Sequence, residues 1–267
     1  MRRAACILVV LSFALAACGG GGSKQSANAS KLAPSAYLAL AGKKTSKTAS
    51  EHVAMKVSAA VSGQPVTVSG QGDFDNNARI GAFHLDFNAG GLATTIDEVV
   101  SKTRIYLKSP LFQGQLPGGK TWVMFDLRRA LAARGIDLST LSAQDPTQTL
   151  AQLQRLGTVT KVGTETIDGT STTHYVAHID PSKLPQAKQL EALAKAKFGA
   201  YDIWVGSDDL VRRVKFSFTL APSGSSSKQT VTLTSDFSDF GKVVKADLPP
   251  AGSTFDATQT TIKGLGG

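Results

Sequence analysis

Cysteine is almost absent from this chain: 267 residues contain two, Cys6 and Cys18. Beyond Cys18 no thiol remains, which excludes a disulfide framework and any cysteine-ligated metal in the body of the protein. Histidine is scarce, with four residues, and aromatic residues make up 7%. Acidic residues are the minority charge. Asp and Glu number 20 against 29 Lys and Arg, a formal net charge of +9, of which Arg2 and Arg3 supply two. A basic balance of this kind suits anionic headgroups. The lysines are not interleaved with aromatics as base-stacking platforms require, so no nucleic-acid partner is expected. Neither a Gly-x-Ser-x-Gly elbow nor a dinucleotide fingerprint occurs. No catalytic residue, cofactor or resident metal is expected.

What is present begins at the N-terminus. Arg2 and Arg3 precede an apolar run from Ala4 to Ala17. That run is shorter than the roughly 20 residues a membrane-spanning helix needs, and it fits the apolar region of a secretory signal. It ends Leu15-Ala16-Ala17-Cys18, small residues before a cysteine, which resembles a lipobox. The Cys18 thiol can take a diacylglycerol thioether, and cleavage before Cys18 frees its amine for a further acyl chain such as palmitate. Two or more chains are enough for stable anchoring. The bland alternative is an ordinary signal peptide that happens to contain Cys18. Residues 1–17 are thus expected to be a leader and 18–33 a flexible Gly/Ser/Ala/Asn-rich tether from acylated Cys18. The mature chain, about 250 residues after cleavage, suits one large β-rich domain or two small ones, and β architectures often reach this size as one. Its expected extent is 34–247, followed by a polar tail over 248–267.

Pro34-Ser35 marks a helix start, with Tyr37, Leu38, Leu40 and Ala41 as a partial apolar stripe running to about Ser50. Val53, Met55, Val57, Ala59 and Val61 then alternate with polar or small residues, the period of a half-buried strand. Further strands are expected from Val66 to Phe74, around Phe83 to Phe87, and over 94–100 and 103–108. Ser109 to Lys120 reads as a long loop carrying Leu111, Phe112 and Leu116. Trp122 to Phe125 is a short strand, and Asp126 suits a helix cap through about Ala133. Asp145-Pro146 opens another predicted helix. Asp168-Gly169 is a hairpin dipeptide between strands 159–166 and 172–179. A helix over 184–198 and strands 201–206, 210–220 and 229–240 complete the order. Hairpin-connected strands with few helices predict an α+β fold: a strongly curved antiparallel sheet.

Several local strings carry a family resemblance. They are Ile105-Tyr106-Leu107-Lys108-Ser109-Pro110, Leu116-Pro117-Gly118-Gly119-Lys120 and Trp122-Val123-Met124-Phe125-Asp126-Leu127. Gly163 to Gly169 running to Thr173-His174-Tyr175, Asp202 to Gly206 with Asp209 to Arg213, and Phe237 to Gly241 complete the set. In this order, behind a lipobox, the chain resembles the LppX/LprG group of envelope lipoproteins. The resemblance implies a LolA-like half-barrel wrapped around a few helices. It also implies an apolar cavity that holds acyl chains of a lipid or glycolipid, and no catalysis.

On that basis Val57, Phe83, Leu85, Phe87, Ile105, Leu107, Trp122, Met124, Phe216 and Phe218 are the candidates to line a cavity, with Leu111, Phe112 and Leu116 at its mouth. The bland reading of each is ordinary core. A monomer attached to the membrane by its lipid anchor is expected, at the extracytoplasmic face, with an acylated lipid or glycolipid as ligand and an envelope transporter as a possible partner. The rival is a sensor or binding lipoprotein with a filled core. His174, His178 and Asp180 share one strand parity, a weak metal pattern lacking further ligands. Asp208-Asp209 reads as a turn rather than a calcium site.

Overall fold

The structure, a computed structural model, describes residues 32–61, 64–133, 157–179, 197–220 and 229–260. Twelve strands form one sheet. The first six are β1 (Ser50–Val61), β2 (Gln64–Asp75), β3 (Ile80–Ala89), β4 (Leu92–Ser101), β5 (Arg104–Lys108) and β6 (Trp122–Asp126). The others are β7 (Gly157–Ile167), β8 (Thr170–Ile179), β9 (Lys197–Gly206), β10 (Val211–Leu220), β11 (Gln229–Ser238) and β12 (Thr254–Asp256). Their spatial order is β12-β6-β5-β4-β3-β2-β1-β11-β10-β9-β8-β7. Two hairpin series therefore meet back to back at β1 and β11, whose register pairs Val53 with Phe237 and Val57 with Leu233. All neighbours are antiparallel except β12, which runs parallel to β6. The result is one large, open, curved antiparallel sheet with few helices.

Local chemistry sets the turns. Asp75 Oδ1 accepts from the amides of Asn77 and Ala78, each at 2.8 Å, and closes β2 onto β3. Asp168 and Gly169 both take positive φ, 45° and 76°, as a two-residue hairpin turn between right-twisted strands requires. Two glycines on one face allow close packing where β2 meets β3. A Cβ on Gly72 would lie 2.1 Å from the Ala82 carbonyl oxygen, and Phe83 fills the space it leaves. Gly81 is covered in the same way by Phe74. Glycines under aromatic rings let a sheet bend toward that face.

Helix α1 (Pro34–Thr45) places proline in its first turn and Lys43 and Lys44 in its last, where they complement the dipole. It lies against β7 and β10, and its buried residues are Leu38, Ala41 and Thr45. The core gathers Leu38 and Ala41 with Val53, Phe83, Leu85, Ile105, Leu107, Val205, Val211 and Phe237. Polar bonds fix the helix to the turn between β9 and β10. Thr45 Oγ1 accepts from the Val211 amide at 2.9 Å, the Tyr37 hydroxyl donates to Asp209 Oδ1 at 2.9 Å, and Lys44 Nζ donates to the Asp208 carbonyl at 2.7 Å. Burial first, then Asp209, raises the Tyr37 hydroxyl well above the usual phenol range.

Helix α2 (Leu127–Ala132) starts where expected, with Asp126 Oδ1 accepting from the Arg129 amide. Three elements depart furthest from the sequence expectation. The first helix stops at Thr45, not near Ser50. Ser46 and Thr48 turn their hydroxyls back onto the Lys43 and Thr45 carbonyls and end it. The strand β9 begins at Lys197, inside the helix expected over 184–198. The rest of that helix, and the one opened by Asp145-Pro146, lie outside the described residues. The tail expected from Leu248 also contributes to the sheet. Thr254–Asp256 pairs with Trp122–Met124, and Thr258 Oγ1 accepts from the Asp126 amide at 2.9 Å.

Candidate functional site

The registers sort the strand residues onto two faces. Pairing Val57 with Val68, Val68 with Phe87, Leu85 with Ile96 and Val100 with Ile105 carries one apolar face from β1 to β5. Pairing Leu233 with Phe216 and Phe216 with Tyr201 carries the same face through β10 to β9. This is the face on which α1 lies, and it is called inner below.

Burial along the inner face is graded. At the end where β1 begins, beside α1, Val53, Phe83, Val205 and Phe237 are buried. Toward the other end Val57, Val68, Phe87, Tyr201, Phe218 and Val231 are only half-buried. Of the residues expected to line a cavity, Val57, Phe83, Leu85, Phe87, Ile105, Leu107, Phe216 and Phe218 share this face. Trp122 and Met124 do not. Met124 pairs with Tyr106 on the opposite face, and Trp122 lies under Lys108 Nζ, 5.9 Å from its ring centre. The inner residues of β6 are Val123 and Phe125. The string Trp122-Val123-Met124-Phe125 is apolar at every position, so alternation carried no sign of which pair faces in.

The loop that carries the residues expected at a mouth follows β5, whose last residues lie level with Val53 and Ala54, and it returns along β4, where Ser109 meets Thr94, the partner of Phe87. Leu111 is exposed and Leu116 half-buried, whereas Phe112 folds back against the core. Ser109, buried, shares a 3.4 Å hydroxyl contact with Thr94 and caps the short turn Pro110–Phe112. The sequence was expected to hold no phosphate loop, yet Gly114 to Thr121 has the Gly-x4-Gly-Lys-Thr spacing of one. It leads into strand β6 rather than a helix, so the helix N-terminus that such a loop needs is missing.

Two carboxylates also sit on the inner face. Glu98 is 3% exposed between Phe83 and Leu107 on the neighbouring strands. Glu51, opposite Phe74, is raised to about 7 by burial. Sequence alternation skipped both, because a charged residue inside an apolar row is normally assigned to solvent.

The outer face carries a built polar cluster. His174 Nδ1 bonds Glu165 at 2.9 Å and its Nε2 bonds Asp202 at 2.9 Å. Its ring stacks on Trp204 with centroids 4.3 Å apart, and Trp204 donates to Glu165 at 2.8 Å. That indole bond, with His174 and Arg213 adding to it, holds the Glu165 carboxyl below its usual range. The cluster ties edge strand β7 to β8 and β9. His174 is thereby engaged on both nitrogens, while His178 is exposed and Asp180 lies outside the described residues. Among the described residues no group of three or more His, Cys, Asp or Glu is arranged to hold a metal ion. Asp208 and Asp209 form the turn between β9 and β10, bonded to Arg212 and Tyr37.

The arrangement defines a class: an open antiparallel sheet that presents one continuous apolar face, covered at one end by a short helix. The solved structures similar to it include a member of the group that the local strings resemble. One is the lipoprotein LppX of Mycobacterium tuberculosis, 20% identical, with a TM-score of 0.49 over 79% of this chain and 98% of that one. Another is LprF of Mycobacterium bovis, 16% identical, with a TM-score of 0.43 over 82% of this chain and 97% of that one. At these values the likeness concerns the course of the chain and says nothing of a ligand. A curated relative, an uncharacterised 31.2 kDa protein encoded between rplA and rplJ in Streptomyces griseus, is 26% identical over 163 residues. The match covers 55% of this chain and 52% of that protein, so the chain spans about half of its length. No protein-family profile matches the chain.

Proposed function

We propose that this protein is a lipid-anchored envelope lipoprotein that holds the acyl part of a lipid or glycolipid against its inner sheet face and carries or presents it. The observation behind this reading is the burial gradient. The apolar rows of β1, β3, β9, β10 and β11 run on past the residues that α1 covers, and there Val57, Phe87, Tyr201 and Phe218 stay half-buried. From Val53 to Ala59 the row is about 20 Å long, the scale of a long fatty acyl chain. Each methylene buried there contributes about 0.8 kcal/mol, so hydrocarbon binds such a surface without polar chemistry. Phe83, Leu85, Ile105, Leu107 and Phe216 form the deep wall in this reading, and Leu111 and Leu116 flank the entrance. Acylation of Cys18, a body on the extracytoplasmic face, and a tether over 18–33 belong to the same proposal. Among the described residues no helix is long and apolar enough to cross a membrane.

Lipid extraction and mass spectrometry of the full chain, purified from a lipid-containing host, test the reading. Bound acyl species are expected. Their loss in Val57→Asp or Phe218→Asp, with folding retained, supports inner-face binding. An unliganded chain whose stability ignores added lipid points instead to a filled core and a sensor or binding role.

A further inference from the structure

His174 stands apart from the other paired histidines of the outer face. His52 meets Asp73 and His84 meets Asp97, each through Nδ1 alone, at 2.7 and 2.8 Å, and both pairs reach solvent. A neutral ring that donates from Nδ1 satisfies such a pair. His174 is 9% exposed and has a carboxylate at each nitrogen, Glu165 of β7 and Asp202 of β9, both at 2.9 Å. Two bonds to ionised acids need two hydrogens, and a neutral imidazole brings one. The trio therefore holds one proton more than a neutral ring between two carboxylates. Glu165 is fixed from its other side by the Trp204 indole, a bond that favours its ionised form. Asp202 has an alternative partner: the residue opposite it on β10 is Lys215, an exposed cation. The other charged groups around the ring, among the described residues, are Arg213, Asp236, Asp168 and His178. Arg213 lies over Trp204 and is bonded to Asp236, Asp168 sits in the hairpin turn near Arg213, and His178 is exposed further along β8.

We infer that His174 is a proton-operated clamp: with the extra proton it ties the β7–β8 hairpin to β9, and when the proton leaves, Asp202 turns to Lys215 and that side-chain tie is lost. The neutral ring keeps its Nδ1 hydrogen on Glu165, because the indole anchors that carboxylate. Its Nε2 lone pair then faces the Asp202 carboxylate, two acceptors with no hydrogen between them. Burial of the ring makes such a contact costly. Rotation of Asp202 toward Lys215 relieves it and moves the tie from β8–β9 to β9–β10. The clamp is thus closed on the acidic side and opens as pH rises. The consequence falls on the edge of the sheet. Among the described strands β7 has β8 as its one neighbour, and α1 lies against β7 as well as β10. The device depends on these side chains alone, whether or not the inner face holds a lipid.

Ring-nitrogen NMR shifts of His174 and amide-exchange protection factors of the full chain test the clamp, followed over about pH 5 to 9, where histidines change charge. Both ring nitrogens are expected to carry hydrogen at the acidic end and only one at the basic end. Protection in β7 and β8 should fall about tenfold with the same midpoint, the effect of losing one charge-assisted bond, while β2 and β3 keep theirs. Asp202→Asn should remove this pH dependence, because the amide donates to a neutral ring. Lys215→Gln should move the midpoint to higher pH, since Asp202 loses its alternative partner. Protection in β2 and β3 reports that each variant is folded; where one is not, the profiles of the unaltered chain decide. A ring that keeps one protonation state over the whole range, a ring that titrates without a change in β7, or an Asp202→Asn chain with an unaltered profile overturns the proposal. Bound lipid does not enter these readings, so their failure is distinct from failure to find an acyl ligand.

Discussion

Replacing Glu51 by glutamine should change the way stability depends on pH. Glu51 is 7% exposed on the inner face, and burial lifts its carboxyl from an ordinary 4.5 to about 7. Below pH 4.5 the carboxyl is neutral in both folded and unfolded chains and contributes no pH dependence. Between 4.5 and about 7 the unfolded chain has released the proton while the folded one keeps it, so stability falls as pH rises. Above about 7 both forms are ionised and the penalty is complete. The gap corresponds to about 3 kcal/mol. Glutamine has the same shape and never ionises. Urea unfolding across this range should therefore give similar stabilities near pH 4, with the variant gaining up to about 3 kcal/mol by pH 8. A buried amide short of partners adds a constant offset of about 1–3 kcal/mol, so the slope decides the matter rather than the absolute value. Parallel pH profiles for the two proteins would refute the reasoning.

Gly72→Val should destabilise the protein by roughly 1–3 kcal/mol or more, because the new Cβ meets the Ala82 carbonyl oxygen at 2.1 Å. Gly163→Ala, whose Cβ meets nothing within 4 Å, is the control, and chemical denaturation reads both. Thr45→Val removes the acceptor of the Val211 amide in a site 4% exposed, with an expected loss of about 1–3 kcal/mol and faster exchange at Val211. Cys18→Ser should move the protein from the detergent phase to the aqueous phase in phase partitioning if its leader is still removed. Retention in the detergent phase would count against acylation at Cys18.

Much of the local structure was legible because its signals are local. Period-two apolar rows marked β1, β3 and β10, and Asp168-Gly169 marked the turn between β7 and β8. Asp126 marked the start of α2. The composition of the first eighteen residues, with its basic pair, apolar run and cysteine, supports the expectation of export and acylation without any coordinates. Eight of the ten proposed lining residues share one face, consistent with alternation within each strand, although the pairing between strands was not legible. Alternation failed at Trp122 and Met124, where four successive apolar residues leave the parity undefined until Tyr106 pairs with Met124.

Contacts between distant segments had no such signal. The junction of β1 with β11, the return of Thr254–Asp256 to β6 and the pinning of Tyr37 by Asp209 join residues far apart in the chain. Their energy comes from surfaces that exist only after folding. The clamp of His174 between Glu165 and Asp202 likewise needs three strands side by side. Glu51 became a titrating group near neutrality only because tertiary packing removed its water. Composition and spacing thus determined which segments could become strands and turns. The tertiary structure decided which end of the apolar face is closed by α1 and which stays partly open, since burial is a property of the assembled sheet and of no segment within it.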